Sequence, residues 1–148
     1  MKTYKQIVEV FEAAAAAHIP TKMFAEGAID YLDANSQNIK YPFMFLRPLV
    51  SPGLQSNTRT LTFELYSLDV PKLSDQSPLL VKSNTELWLY DIISNLNYGP
   101  TGDKNIACDL ISMTPVNEAF NDRVYGWVGQ VNVTEDGVYN YCNFPDAP

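Results

Sequence analysis

A chain of 148 residues that is 46% hydrophobic and 12% aromatic carries enough apolar material for one buried domain and too little length for two. Its 17 acidic and 10 basic residues leave a net charge of −7. The basic ones stand singly at Lys22, Lys40, Arg47, Arg59, Lys72, Lys82, Lys104 and Arg123, with Lys2 and Lys5 the closest to a pair. A phosphate backbone is gripped by clustered cations that release counterions, so this pattern argues against tight DNA binding. It leaves room for an acidic surface past which DNA slides.

Helical spacing sets the first predicted element. Tyr4, Ile7, Val8, Phe11, Ala14, Ala15 and His18 fall on one face, and Lys5, Glu9 and Glu12 take the other. Thr3 is its expected N-cap and Pro20 its stop. From Met23 to Asn38 the periodicity weakens, which predicts a short helical turn or a structured loop. Tyr41 to Val50 reads as a strand, with Pro42 and Pro48 near its ends marking an edge or a bulge. Ser51-Pro52-Gly53 signals a turn, and the polar stretch to Thr58 reads as a hairpin loop. Thr60 to Asp69 alternates Leu61, Phe63 and Leu65 against Thr60, Thr62, Glu64 and Tyr66, the pattern of a half-buried strand.

A second helix is predicted to run to about Leu96. It starts either at Ser77-Pro78, with serine as N-cap and proline at the first helical position, or at the capping box Ser83 to Glu86. Leu89, Ile92, Ile93 and Leu96 form its inner face, with Trp88 beside them. After the break from Tyr98 to Asp103, a weaker strand spans Asn105 to Met113 and is closed by Pro115. A stronger one spans Val124 to Thr134, where Tyr125, Trp127, Val131 and Val133 share a face and Gly129 permits a bulge or a close approach. Residues 135–148 read as an extended C-terminal arm. The expectation is one α+β domain over residues 1–148: a mostly antiparallel sheet with an N-terminal and a central helix packed on it.

Apolar runs of signal-peptide or membrane-spanning length do not occur, so the expected site of folding is a cytoplasm, with no membrane partner. In such a reducing compartment Cys108 and Cys142 are expected to be free structural thiols, and the sequon at Asn132-Val133-Thr134 has no consequence. Chemistry has few candidates. His18 is the single histidine, which excludes histidine-rich metal sites and makes any triad depend on this one residue. At the end of the first helix its imidazole is placed to cap carbonyls. The carboxylate pairs Asp30 with Asp33, Asp69 with Asp75, and Asp103 with Asp109 lack the framing of two acids in unlike environments at one cleft, and read as solvated loop charges. Asp30, Asp33 and Asn35 also lack the calcium-loop rhythm. Phosphate-cradling glycine loops and the nucleophile elbow are absent from the sequence. The expectation is a protein with no catalytic residues, no cofactor and no metal.

Several segments in order resemble the small neck and tail-completion, tail-terminator-like proteins of tailed bacteriophages, particularly those of the crAss-like group and others infecting Bacteroidetes. They are the N-terminal helix, the loop around Phe24 and Gly27, the strand opening Tyr41-Pro42, LYSLD at Leu65 to Asp69, TELWLYDIISNL at Thr85 to Leu96, FNDRVYGWVGQVNV, and Cys142-Asn143-Phe144-Pro145. The resemblance implies a virion subunit, made in the host cytoplasm, that joins a homo-oligomeric ring at the head–tail junction. Sixfold and twelvefold symmetries are both open. Its partners would be portal, adaptor or tail proteins, with DNA passing through the channel unbound. Interface candidates are Tyr139, Tyr141, Phe144 and Pro145 in the arm, together with Trp127 and Trp88, since aromatic anchors dominate interfaces. The alternative is a small glycan- or small-molecule-binding module, with Trp88, Trp127 and tyrosines lining a cleft.

Overall fold

A computed structural model describes residues 2–30, 38–72, 77–119 and 123–137. Along the chain the elements are α1 (Tyr4–Ala17), β1 (Met23–Glu26), β2 (Phe43–Pro48), β3 (Gly53–Gln55), β4 (Thr58–Asp69), α2 (Pro78–Tyr98), β5 (Ile106–Ala119) and β6 (Val124–Asp136). The strands form one six-stranded sheet in the order β1-β2-β4-β6-β5, with β3 also on β4. Among the described residues, only β1 and β2 run parallel; the remaining pairs are antiparallel. This is the α+β architecture expected from the sequence.

Local chemistry sets the helix ends. Thr3 Oγ1 accepts the Gln6 N–H while Gln6 Oε1 accepts the Thr3 N–H, a reciprocal capping box. Of the two possible starts for α2, Ser77 is the cap, accepting the Leu80 N–H, and Pro78 is the first helical residue. Starting there adds a turn that buries Val81 and offers the Lys82 carbonyl to the Trp127 indole N–H at 3.0 Å. The C-terminal end of α2 is closed by Gly99, whose N–H bonds the Asn95 carbonyl.

Both helices pack on the same sheet face. Ile7, Phe11, Ala14 and Ala15 of α1 and Leu89, Ile92 and Leu96 of α2 meet Met44, Leu46, Phe63, Leu65, Ile106, Cys108, Val131 and Val133. Phe63 sits between Tyr4, stacked on it with ring centroids 6.0 Å apart, and Phe11, tilted against it at 5.7 Å. Gly129 leaves the space that the ends of Leu89 and Leu110 fill, and Gly126 lets the Ser67 carbonyl approach the β6 backbone. On the opposite face Phe43, Phe45, Tyr66, Leu68 and Val124 form a smaller cluster, flanked by Ile29, Ile39, Tyr41 and Val70.

Four local expectations change. Met23 to Glu26, read as a turn or loop, is a strand, because its short backbone finds β2 as a parallel neighbour. The polar stretch before Thr58 is largely the strand β3, and the turn contracts to Ser56-Asn57, both at positive φ. The strand after Asn105 does not stop at Pro115 but runs to Ala119, since a proline is tolerated on an edge. Finally, β6 extends through Asp136, taking in the first two residues assigned to the arm.

Candidate assembly surface

The helices differ on their outer sides. The solvent side of α1 carries Lys5, Glu9 and Glu12, with Lys5 Nζ 3.5 Å from Glu9 Oε1. On α2 the buried residues Val81, Thr85, Leu89, Ile92 and Leu96 mark the inner stripe. Leu79, Leu80, Leu87, Tyr90 and Tyr98 are all exposed and, at 100° per residue, fall on the opposite side. Leu87 is 59% exposed and Tyr98 89%. Polar interruptions along this stripe are Ser83 and Ser94, and Glu86 and Asp91 border it. The Tyr90 hydroxyl donates to Glu86, which raises the tyrosine's pKa. Helical periodicity read from the inner face alone misses this stripe, although Leu80, Leu87 and Tyr90 at consistent spacing could have shown it.

Beside the stripe, the end of α1 meets α2. His18 caps α1 through its backbone N–H, which reaches the Ala14 and Ala15 carbonyls. Its imidazole does not cap carbonyls. Nδ1 lies 2.8 Å from Thr21 Oγ1, Nε2 lies 3.3 Å from Asp91 Oδ2, and the ring meets Trp88 edge-on. A cleft of about 340 Å³ follows this junction, lined by Ala17, His18, Ile19, Asp91 and Asn95 among others.

The long outer strand β5 is blunted. Asn97 on the last turn of α2 donates its amide to the Cys108 carbonyl at 2.7 Å and accepts the Cys108 N–H at 2.9 Å. The side chain thus fills the place of a neighbouring strand. Further along, a bulge interrupts the register between Leu110 and Ser112, and Pro115 has no N–H to offer. Clips, bulges and prolines are how sheets discourage edge pairing. The Asn97 clip has no sequence signature, because its partner lies on another element.

The remaining candidates are dispersed. Asp30 is exposed, while Asp33 and Asp75 lie outside the described residues. Asp69 is buried and accepts the Val70 N–H at 2.8 Å; burial raises its pKa against the opposing pull of that bond and of Lys72. Asp103 is bound by Lys2 Nζ at 2.6 Å and by the Asn105 N–H, which hold its carboxyl below the usual range. Asp109 is exposed. Burial pushes the Cys108 thiol up to about 12, with Asp109 adding to the effect, so it is a poor nucleophile; Cys142 lies outside the described residues. Among the described residues, no cluster of three or more His, Cys, Asp or Glu is arranged to hold a metal ion, and no helix is long and apolar enough to cross a membrane.

Trp127 and Trp88, named as interface anchors, are half-buried against the helix-side core. The Trp127 indole N–H is engaged by the Lys82 carbonyl. Tyr139, Tyr141, Phe144 and Pro145 lie outside the described residues. No protein-family model matches the chain, and no curated protein matches it.

Proposed function

We propose that the protein is a structural subunit of a bacteriophage particle, assembling as a homo-oligomeric ring at the head–tail junction around the DNA channel. The outer stripe of α2 carries the reading. A helix that buries one face in its own core has no folding reason to place three leucines and two tyrosines on the far side. Exposed apolar stripes of this kind mark contact surfaces. The charge distribution is consistent with a channel that DNA crosses: Lys2, Lys5, Arg47 and Arg59 are each paired with a carboxylate, leaving an acidic molecule with its cations dispersed. The ring position and the phage origin come from the sequence resemblance.

The test is the mass in solution by light scattering, alone and with the portal protein of the same genome. Rings, alone or nucleated by portal, are the expected outcome. A protein that stays monomeric with every neck partner and instead binds an oligosaccharide would overturn the proposal in favour of a glycan-binding module. That alternative has less geometric support, since Trp88 and Trp127 face the core and do not line the open cleft beside His18.

A further inference from the structure

Besides α2, a second apolar feature stands clear of the surface. Between β2 and β3 the chain bulges at Val50, which is 97% exposed. Its neighbours are fastened on both sides: the Leu49 N–H bonds the Thr62 carbonyl at 2.9 Å, and Ser51 Oγ accepts the Thr62 N–H at 2.9 Å. Ser51 Oγ also donates to the Leu49 carbonyl. The bulge therefore continues the β4 ladder through Thr62 while Val50 is pushed outward. Leu54 on β3 is exposed as well. An apolar knob held in place by its own backbone loses little freedom on docking.

From these features we infer that Val50 and Leu54 of one subunit dock on the outer stripe of α2, around Leu87, of a second copy of this chain. The contact rests on the ring reading and specifies how such a ring would be built. Three observations select this occupant. The first is charge. The stripe is bordered by Glu86 and Asp91, so two copies of it facing each other would bring acids together. The segment from Leu46 to Phe63 contains no acidic residue, and its Arg47 and Arg59 are paired with Glu64 and Glu135 of the same subunit, so it meets the acids of the stripe without adding like charge.

Position is the second. β2 and β3 lie along one edge of β4, whereas α2 packs on β4, β6 and β5 and is centred on β6. A knob and a receiving surface on different sides of a subunit make a head-to-tail contact, the kind that closes into a ring; a patch meeting its own copy stops at a dimer. The third is area. A helix of 21 residues is about 31 Å long, and a face about 10 Å wide covers roughly 300 Å², well below the ~800 Å² per partner of a stable pair. Such a contact is weak singly and persists where ring closure repeats it. Pairing through β5 is the competing route, and the Asn97 clip and the Leu110/Ser112 bulge oppose it.

Cysteine cross-linking tests the geometry. With Cys142 replaced by serine, Val50→Cys and Leu87→Cys are made singly and together and oxidised at assembly concentration. Both positions are exposed, so the variants are expected to fold, and circular dichroism checks it. The expected result is a ladder of covalent oligomers from the double variant, a heterodimer from mixed single variants, and no homodimer from either alone. A Leu87→Cys homodimer overturns the head-to-tail contact in favour of helix-to-helix pairing while leaving assembly intact. Rings by light scattering without any cross-link also overturn it and spare the ring reading. A protein that remains monomeric alone and with portal and every other neck partner overturns both.

Discussion

Side by side on one sheet face, α1 and α2 solve the same burial problem and then diverge. Each lays an apolar stripe on the sheet, α1 through Ile7 and Phe11, α2 through Leu89, Ile92 and Leu96. Outward, α1 shows charge and α2 shows leucine and tyrosine. Their fastenings differ too. The start of α1 is tied by polar contacts: the Lys2 N–H to Glu135 Oε1, Arg59 to Glu135 and to the Lys2 carbonyl, and Lys2 to Asp103. α2 is tied mainly through neutral groups, the Asn97 clip and the Trp127–Lys82 bond, with Asp91 at His18 the carboxylate among its contacts. The contrast separates what folding requires of a helix from what a neighbour would require.

The largest effect should come from comparing two leucines that stand two positions apart on α2. Leu89→Ala removes a fully buried side chain over Gly129 and should cost about 3 kcal/mol in urea unfolding, whereas Leu87→Ala should change stability by less than about 0.5 kcal/mol. Equal losses at both positions would show that the outer stripe serves the fold and would remove the basis for an assembly surface. Next, Asn97→Ala strips two backbone partners from Cys108 and should cost about 2 kcal/mol. It should also expose the β5 edge, seen as a rise in scattering on storage; an unchanged melting curve and unchanged scattering would show that the clip protects nothing.

At the caps the two helices should behave alike. Thr3→Ala and Ser77→Ala should each cost about 1 kcal/mol, read from thermal or urea midpoints. A much smaller loss at Ser77 would mean that α2 starts closer to Ser83. The smallest effect is a pH difference confined to α1. The Asp103 pKa is lowered in the folded state by Lys2, so the ion pair's stabilisation is fully present above the unfolded value of about 3.8 and is lost as pH falls through the lower folded value. At this partly exposed site it should amount to less than about 1 kcal/mol. Hydrogen-exchange protection, corrected for the intrinsic rate at each pH, should fall in acid more at α1 than at α2, and Asp103→Asn should reduce that difference. An equal loss of protection in both helices would assign the acid sensitivity to other groups.

Much of the fold was legible because it is written in short-range terms. Period-four and period-two apolar patterns marked α1, the inner face of α2, β4 and β6, and the caps at Thr3 and Ser77 lie within four residues of what they cap. The Met23 to Glu26 segment was not legible, since four residues have no periodicity to speak of and become a strand only when β2 lies alongside. The candidate surface was less legible than the fold. Attention to aromatic residues singled out Trp88 and Trp127, which the core half covers, while the exposed residues of α2 are mostly leucines whose side of the helix appears only once the inner face is fixed.

The class of the fold, the cap of α1, the principal strands, the scattered charge and the lack of recognisable catalytic motifs are all written in the chain, because each depends on residues close together or on composition, whereas the start of α2 stayed open between Ser77 and Ser83. Tertiary structure decided the rest. It put β1 on the edge, carried β5 past Pro115, set Asn97 against Cys108, held Val50 out between two bonds to Thr62, and turned the second face of α2 outward. Each of these joins elements distant in sequence, and the physical cause is the same throughout: backbone polar groups and apolar faces must be satisfied by whatever the folded chain brings next to them.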